Sequence, residues 1–543
     1  MRKLKTVVVA LVLALVMAVP VTVMASTPDE TLFRIEDGTV YVQLRPLLYS
    51  FGFTVEWDAQ RRAAVVPLSA TDSFVIPVEE LGGFIEDGVS WISYELANSI
   101  IGLLLSDLAV QPVERIDLTL WEPERFSDVR EPMFSTDLPP GAIAVGYIQY
   151  MSDNLGARSA FTYRELEAAV WIVEELLAMG HDWDNIAVQE FTYWDAVDME
   201  LGLFGPLNWW MVTSPMILGV GRDYQLREDR VSQNVVLTIP GQSERTIIVG
   251  AHYDSPPYAS ASDNASGTAL LMESAQRMME LENYYTIVYV FFGAEEVGLI
   301  GAYYYIESLT ARERDNIVMM VNADVLIEGP YILYGAAAMP VLTDALLDEI
   351  RADLLYDLMD LIIMEYEWIV ANAEYTMAND PTVVVDLEFD SLEGFIELIA
   401  FNIATMPIDA LLLNASFQGL VEPAVDAVAG QVSAIAAELT ASHDFELISF
   451  PELAVFPTDS LAFFFEGFTV VNFVGMERME NMTPELAAQL TRLGEGVGDF
   501  TVTILHTPLD EFHFIEYTWP GMMDANLEAF VLFLEAILLG SFS

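Results

Sequence analysis

The chain reads as an α/β protein: a mixed, largely parallel sheet flanked by helices, with a helical insertion, preceded by a small α+β N-terminal domain. Three observations predict this. Four apolar runs, Thr246 to Ala251, Thr286 to Phe292, Ile317 to Ala323 and Phe468 to Val474, have the length and continuity of strands buried on both faces. Helical segments lie between them, and strands alternating with helices imply a parallel sheet covered on both sides. Residues 31–105 instead carry an internal repeat of hairpin character.

The elements follow in chain order. Arg2, Lys3 and Lys5 precede an apolar run from Thr6 to Val19, and Val23-Met24-Ala25 offers small-residue cleavage before Ser26. This is the pattern of an export signal over residues 1–25, and it predicts a secreted or cell-surface protein. An uncleaved signal anchor is the alternative, because the run is just long enough to span a bilayer. No later segment reads as membrane-spanning: Glu397, Pro407 and Asp409 interrupt the apolar stretch from Gly394 to Leu413.

Ile35-Glu36-Asp37-Gly38 recurs as Ile85-Glu86-Asp87-Gly88, and Tyr41-Val42 as Trp91-Ile92, at a constant offset of 50. Asp-Gly before an alternating apolar run signals a hairpin, here leading into a short helix over Leu44 to Tyr49. With Leu44-Arg45-Pro46-Leu47 and Val55-Glu56-Trp57-Asp58, residues 31–105 resemble the small N-terminal domain of copper amine oxidases. No copper chemistry follows, because the segment holds no His, Cys or ligand cluster. The resemblance implies a spacer, or attachment to the cell surface.

A proline-containing linker from about residue 108 leads to the main domain, residues 140–543. Tyr163 to Met179 has helical periodicity ending at Gly180, and Asn234 to Ile239 reads as a strand closed by Pro240-Gly241. Gly267 to Leu281, Gly301 to Leu309 and Leu527 to Leu539 are further helices. Tyr193 to Met216, with Trp194, Trp209 and Trp210, packs in the core or lines a pocket. Much of the insertion at about 339–440 reads as amphipathic helix, suited to a lid or a dimer interface, and the oligomeric state stays open.

Composition narrows the chemistry. With 82 acidic against 22 basic residues, the formal net charge of -60 repels phosphate backbones and disfavours nucleic-acid binding. There are no cysteines, so any metal must sit on His, Asp and Glu. The residues after the apolar runs are of that kind. His252, Tyr253 and Asp254 follow the first; Glu295 and Glu296 follow the second; Asp324 follows the third. Asp263 lies in a polar turn opening a helix, and His506 comes just after a late apolar run. In a parallel sheet these all fall at the rim where ligands gather.

The residue types suit two metals. Zinc takes imidazole nitrogen and carboxylate oxygen, and paired metals need a bridging carboxylate. Residues i and i+2 share a strand face, so Asp254 can orient the His252 imidazole. In Glu295-Glu296, one carboxylate can bind metal while the other stays free as a base. Ordinary roles compete: Asp263 as a helix N-cap, and Glu295 and Glu296 as first-turn acids. Asp254 and Asp510 are supporting residues, whereas His181, His443 and His513 read as structural or surface residues.

The ordered pieces Ser232-Gln233-Asn234-Val235, Ala251-His252-Tyr253-Asp254-Ser255, Asp263-Asn264-Ala265-Ser266-Gly267, Ala294-Glu295-Glu296-Val297-Gly298-Leu299, Asn322-Ala323-Asp324 and His506-Thr507-Pro508-Leu509-Asp510 resemble the di-zinc aminopeptidase family. That family also includes glutamate carboxypeptidase II and glutaminyl cyclase. The resemblance covers roughly residues 145–330 and 445–540. It implies a di-zinc exopeptidase fold, two zinc ions and peptide substrates shortened from the amino terminus through a metal-bridging hydroxide. Asp263 would bridge the metals, His252 and Asp324 would complete one site, and Glu296 and His506 the other. Glu295 would be the general base.

Two departures stand out. The family often has Ser-Asp-His where this chain has Thr458-Asp459-Ser460, and many members have Tyr where this chain has Leu505. A glutaminyl cyclase or carboxypeptidase of the same fold, and a non-catalytic cell-surface binding protein, are the alternatives to the aminopeptidase.

Overall fold

The computed structural model describes residues 130–192, 231–340, 423–481 and 496–542 apart from a few positions, and shorter stretches between 33 and 100. The expected signal at 1–25, the linker, the aromatic segment at 193–216 and most of the 339–440 insertion lie outside the described residues.

The N-terminal repeat folds as its offset implies. β1 (Phe33–Glu36) pairs with β2 (Thr39–Gln43), and β6 (Phe84–Glu86) with β7 (Val89–Ser93), both antiparallel. Arg34 faces Tyr41 in the first hairpin and Phe84 faces Trp91 in the second, the same register fifty residues on. Equivalent residues then meet: Val42 pairs with Ile92, and the sheet order is β1-β2-β7-β6. The two hairpins are thus related by a local twofold. Between them in sequence, β3 (Glu56–Asp58), β4 (Ala63–Pro67) and β5 (Ser73–Pro77) form a separate three-stranded sheet.

The main sheet contains β8 (Ile186–Thr192), β9 (Val231–Ile239), β10 (Ser243–His252), β11 (Tyr285–Phe292), β12 (Ile317–Ala323), β13 (Tyr331–Ala337), β14 (Leu447–Ser449) and β15 (Val470–Arg478). Their spatial order is β14-β13-β15-β12-β10-β11-β9-β8. β11, β10, β12 and β15 run parallel at the centre, and β9, β8 and β13 pair antiparallel. From Ile247 to Ala251 in β10, and over most of β11 and β12, the central strands are apolar and buried, as a sheet covered on both faces requires.

Alternate residues of β11 show the two layers. Phe291 belongs to the core shared by α1 (Ala142–Tyr150), α3 (Gly267–Met278) and α5 (Met522–Leu538), with α2 (Tyr163–Met179) packed beside them. Phe292 points the other way and meets Tyr305 of α4 (Ile300–Ser308) and Phe463, each with ring centroids 6.2 Å apart. Glu273 of α3 is buried and accepts hydrogen bonds from the backbone N–H groups of Gly141 and Ala144, satisfying the free donors where α1 begins.

The sequence predicts β15 from Phe468, but the strand begins at Val470. Gly467 takes φ +86 and the Phe468 N–H bonds back to the Phe463 carbonyl, so these residues close the preceding helix instead.

Candidate metal centre

The central strands deliver side chains to one rim. β10 ends on His252, the turn after β11 carries Glu295 and Glu296, and Asp324 follows β12. Because β11, β10 and β12 are adjacent and parallel, these ends lie side by side. Asp263 comes from the turn between β10 and α3. That turn must pass close to β12: a Cβ at Gly267 would overlap the Ala323 carbonyl oxygen, so the approach of Asp263 to Asp324 requires glycine there. His506 enters from a C-terminal turn with φ +55.

Two triads share Asp263, and His252 with Glu295 and Glu296 forms a further grouping beside them. His252 Nε2 lies 3.1 Å from Asp263 Oδ1 and 3.4 Å from Asp324 Oδ1. His506 Nε2 lies 3.1 Å from Asp263 Oδ2 and 3.4 Å from Glu296 Oε2. Within each triad the ligand atoms are near enough to share one cation. Asp324 Oδ1 and Glu296 Oε1 are buried without a hydrogen-bond partner among the described residues. Such orphaned carboxylate oxygens are costly unless a cation satisfies them, and the nitrogen and oxygen donors are those that zinc accepts.

The electrostatics agree. Burial opposes a charge on His252, yet Glu295 and Asp324 outweigh it and hold its pKa well above the ordinary value. Burial likewise disfavours the Asp263 carboxylate, but His252 and His506 keep its pKa well below the usual range. A potential that favours imidazolium also favours a divalent cation. Glu295 is buried with Oε2 3.9 Å from His252 Nε2, outside both triads. Burial raises its pKa, and the carboxylates of Asp459, Glu296 and Asp324 add to that against the lowering effect of His252.

Surrounding residues fix the candidate ligands. His252 Nδ1 is 3.1 Å from the backbone carbonyl of Asp254 and 3.5 Å from its carboxylate. Donation from Nδ1 to the carbonyl leaves Nε2 as the free lone pair facing Asp263 and Asp324. The Asp254 carboxylate accepts from the N–H groups of Glu295 and Glu296 at 3.1 and 3.3 Å, tying their turn to β10. Asp510 accepts from the N–H groups of Ser262 and Asp263. Asp263 is not a helix N-cap; Asn264 takes that local task, its Oδ1 accepting from Gly267 N–H at 2.8 Å. Glu295 and Glu296 precede α4, which starts at Ile300, so they are not first-turn acids.

Three further features support the centre, and sequence reasoning gave none of them a role. Arg158 is completely buried, and its guanidinium donates to the carbonyls of Gly156, Tyr253, Ala259 and Ser260, clamping the loop between His252 and Asp263. Thr458 donates to Asp324 Oδ2 at 2.5 Å while accepting from Asn322. Beside it, both Asp459 carboxylate oxygens and the Ser460 hydroxyl are buried without a hydrogen-bond partner among the described residues. The Thr-Asp-Ser run was the one available signal for Thr458; nothing adjacent in sequence marks Arg158. Leu505 is buried among Val325, Leu453 and Val502, facing the core.

The remaining histidines have other surroundings. His181 is buried, His443 stacks on Phe445, and His513 pairs with Asp153 at 3.0 Å.

Residues 234–352 match the model of peptidase family M28, a span containing His252, Asp263, Glu295, Glu296 and Asp324. The chain is similar to aminopeptidase YwaD of Bacillus subtilis, 36% identical over 81 residues that cover 15% of this chain and 18% of the relative. It is also similar to the probable lipoprotein aminopeptidase LpqL of Mycobacterium tuberculosis, 37% identical over 116 residues that cover 20% of this chain and 23% of the relative. It therefore spans less than a quarter of the length of either. Among solved structures, the zinc aminopeptidase BSAP from Bacillus subtilis is 14% identical with a TM-score of 0.42, covering 74% of this chain and 96% of that one. A Bacteroides thetaiotaomicron glutaminyl cyclase is 12% identical with a TM-score of 0.37, covering 76% and 100%.

Proposed function

We propose that this protein is a zinc-dependent exopeptidase, an aminopeptidase that holds two zinc ions and removes residues from the amino terminus of peptides. The observation that carries the proposal is the division of Asp263, with one carboxylate oxygen facing each triad. The family match over the same residues supports it. His252, Asp263 and Asp324 would hold one ion, and Asp263, Glu296 and His506 the other. Bound zinc supplies Lewis acidity that polarises the scissile carbonyl and the attacking water.

The protein's own residues supply the rest. Glu295 accepts the proton of the attacking water and returns it to the leaving amine. Its carboxylate is buried at the centre beside His252, positioned for that exchange. Asp254 keeps the Glu295 turn in register with His252. The excess of carboxylates around the centre favours a substrate that brings an ammonium group, which the free amino terminus of a peptide provides. Residues 2–25 support export, so the peptides would be extracellular.

The test is hydrolysis of a panel of aminoacyl fluorogenic amides, with and without chelator and added zinc. Chelator-sensitive release from unblocked but not N-blocked substrates is expected. Silence across the panel with no zinc bound would instead favour a non-catalytic binding protein.

A further inference from the structure

The turn that carries Glu295 and Glu296 joins β11 to α4 and folds back on itself. The N–H of Ile300 donates to the Ala294 carbonyl, and that of Gly301 to the Gly293 carbonyl. Ala294 takes φ +56, a left-handed conformation that a residue with a side chain keeps only where its surroundings impose it.

The surroundings that impose it are side chains that meet four successive N–H groups. Gly293 N–H donates to Asn234 Oδ1 at 3.2 Å and Ala294 N–H to Glu165 Oε1 at 3.1 Å. Those of Glu295 and Glu296 go to the two carboxylate oxygens of Asp254. The three acceptors come from β9, from the first turn of α2 and from the end of β10. Asn234 also closes the turn across its opening, its Nδ2 donating to the Gly301 carbonyl at 2.9 Å.

Glu165 reaches Ala294 from 129 residues away in the chain and is completely buried. Ser232 Oγ donates to its Oε1 at 2.5 Å and Phe161 N–H to its Oε2 at 2.7 Å, so both oxygens are fixed in place. The turn packs directly on this group. A Cβ at Gly293 would come within 2.5 Å of Ser232 Oγ and 3.0 Å of Glu165 Oε1.

The peptide unit before Ala294 is thus held by Glu165, and the one after it by Asp254. Peptide units are planar, so fixing both sets the two dihedral angles of Ala294 and with them the direction in which Glu295 leaves the turn. We propose that Glu165 is a positioning residue for the proton transfer, acting through Ala294 on Glu295; the inference rests on the reading of Glu295 as the base. Without the bond from Ala294 N–H, the left-handed residue relaxes and carries Glu295 away from the attacking water.

The experiment measures kcat, KM and zinc content, on an aminoacyl amide that wild type cleaves, for Glu165→Gln, Glu295→Gln and the double variant. An amide at 165 sets its NH₂ group against either the Phe161 N–H or the Ala294 N–H. We expect kcat of Glu165→Gln to fall about 10- to 100-fold, the scale on which a misplaced group loses rate, with KM and zinc content near wild type. In the Glu295→Gln background the same change should leave the residual kcat unaltered, because the group that Glu165 positions is already gone. Ser232→Ala removes one hydroxyl and no backbone contact. It should repeat the pattern with a smaller loss, and it decides the matter where Glu165→Gln fails to fold. Wild-type kcat in whichever variant folds, an equal loss in both backgrounds, or loss of zinc would overturn the proposal while leaving the aminopeptidase reading in place. Near-wild-type turnover in Glu295→Gln, or a wild type that binds zinc but cleaves no aminoacyl amide, would overturn that reading and this proposal with it.

Discussion

The carboxylate of Asp510 grips Asp263 through the backbone, accepting from the N–H of Ser262 at 2.6 Å and from that of Asp263 itself at 2.9 Å. Asp510 belongs to neither triad, yet through this backbone contact it sets where the shared carboxylate stands. An amide at 510 would turn one of these two acceptors into a donor facing an N–H. Asp510→Asn should therefore weaken zinc binding about 10- to 100-fold, the usual cost of losing a residue that orients a ligand. Calorimetric zinc titration checks this; wild-type affinity would show that the turn holds its place without Asp510.

Asp263 itself should be indispensable to both sites. If the two triads each hold a zinc ion, as proposed, each loses a ligand at once in Asp263→Ala, so zinc content should fall to one ion per chain or none. Removing a ligand that served a single ion, as in Asp324→Ala, should spare the other. Elemental analysis after dialysis distinguishes the cases, and a wild-type zinc count in Asp263→Ala would exclude the bridging role.

Glu295 lies outside both triads and should act on protons alone. Glu295→Gln is expected to keep both zinc ions while kcat falls about 100- to 10,000-fold, the range for loss of a general base. Near-wild-type turnover would assign the proton transfer to another group.

His181 makes stability depend on pH. Burial lowers its pKa from 6.5 to about 4 against a smaller raising effect of the Ala275 backbone, and among the described residues its Nε2 is buried without a hydrogen-bond partner. The unfolded chain takes up this proton on acidification through pH 6.5, whereas the folded chain does so only near pH 4. Stability due to this residue is therefore complete above the unfolded pKa and is lost as pH falls between those values, by about 3 kcal/mol in total. His181→Gln should flatten the slope of unfolding free energy in that window, measured by urea denaturation at several pH values. An unchanged slope would mean that His181 titrates normally.

Much of the scaffold is legible in the sequence because its signals are local. The helix over Tyr163–Met179 ends at Gly180 as its periodicity and glycine imply, with the cap at φ +104. The strand Ile317–Ala323 is bounded where its apolar run is bounded. The offset of the N-terminal repeat carries directly into equal hairpin registers. Where a local competitor intervened, at Gly467 and Phe468, the boundary moved.

Residue types and their order along the chain determined the ligand candidates: imidazoles and carboxylates at the ends of apolar runs are visible without coordinates. The family resemblance implied how they divide, and only the tertiary structure gives that division its geometry. Asp263 turns one oxygen toward His252 and the other toward His506, residues far apart in sequence, because the sheet aligns the strand ends and Asp510 pins the intervening turn. The buried Arg158 and the inward-facing Leu505 were hidden for the same reason. A side chain's direction at a sheet rim depends on which distant segment packs against it, and that contact has no periodicity in the chain.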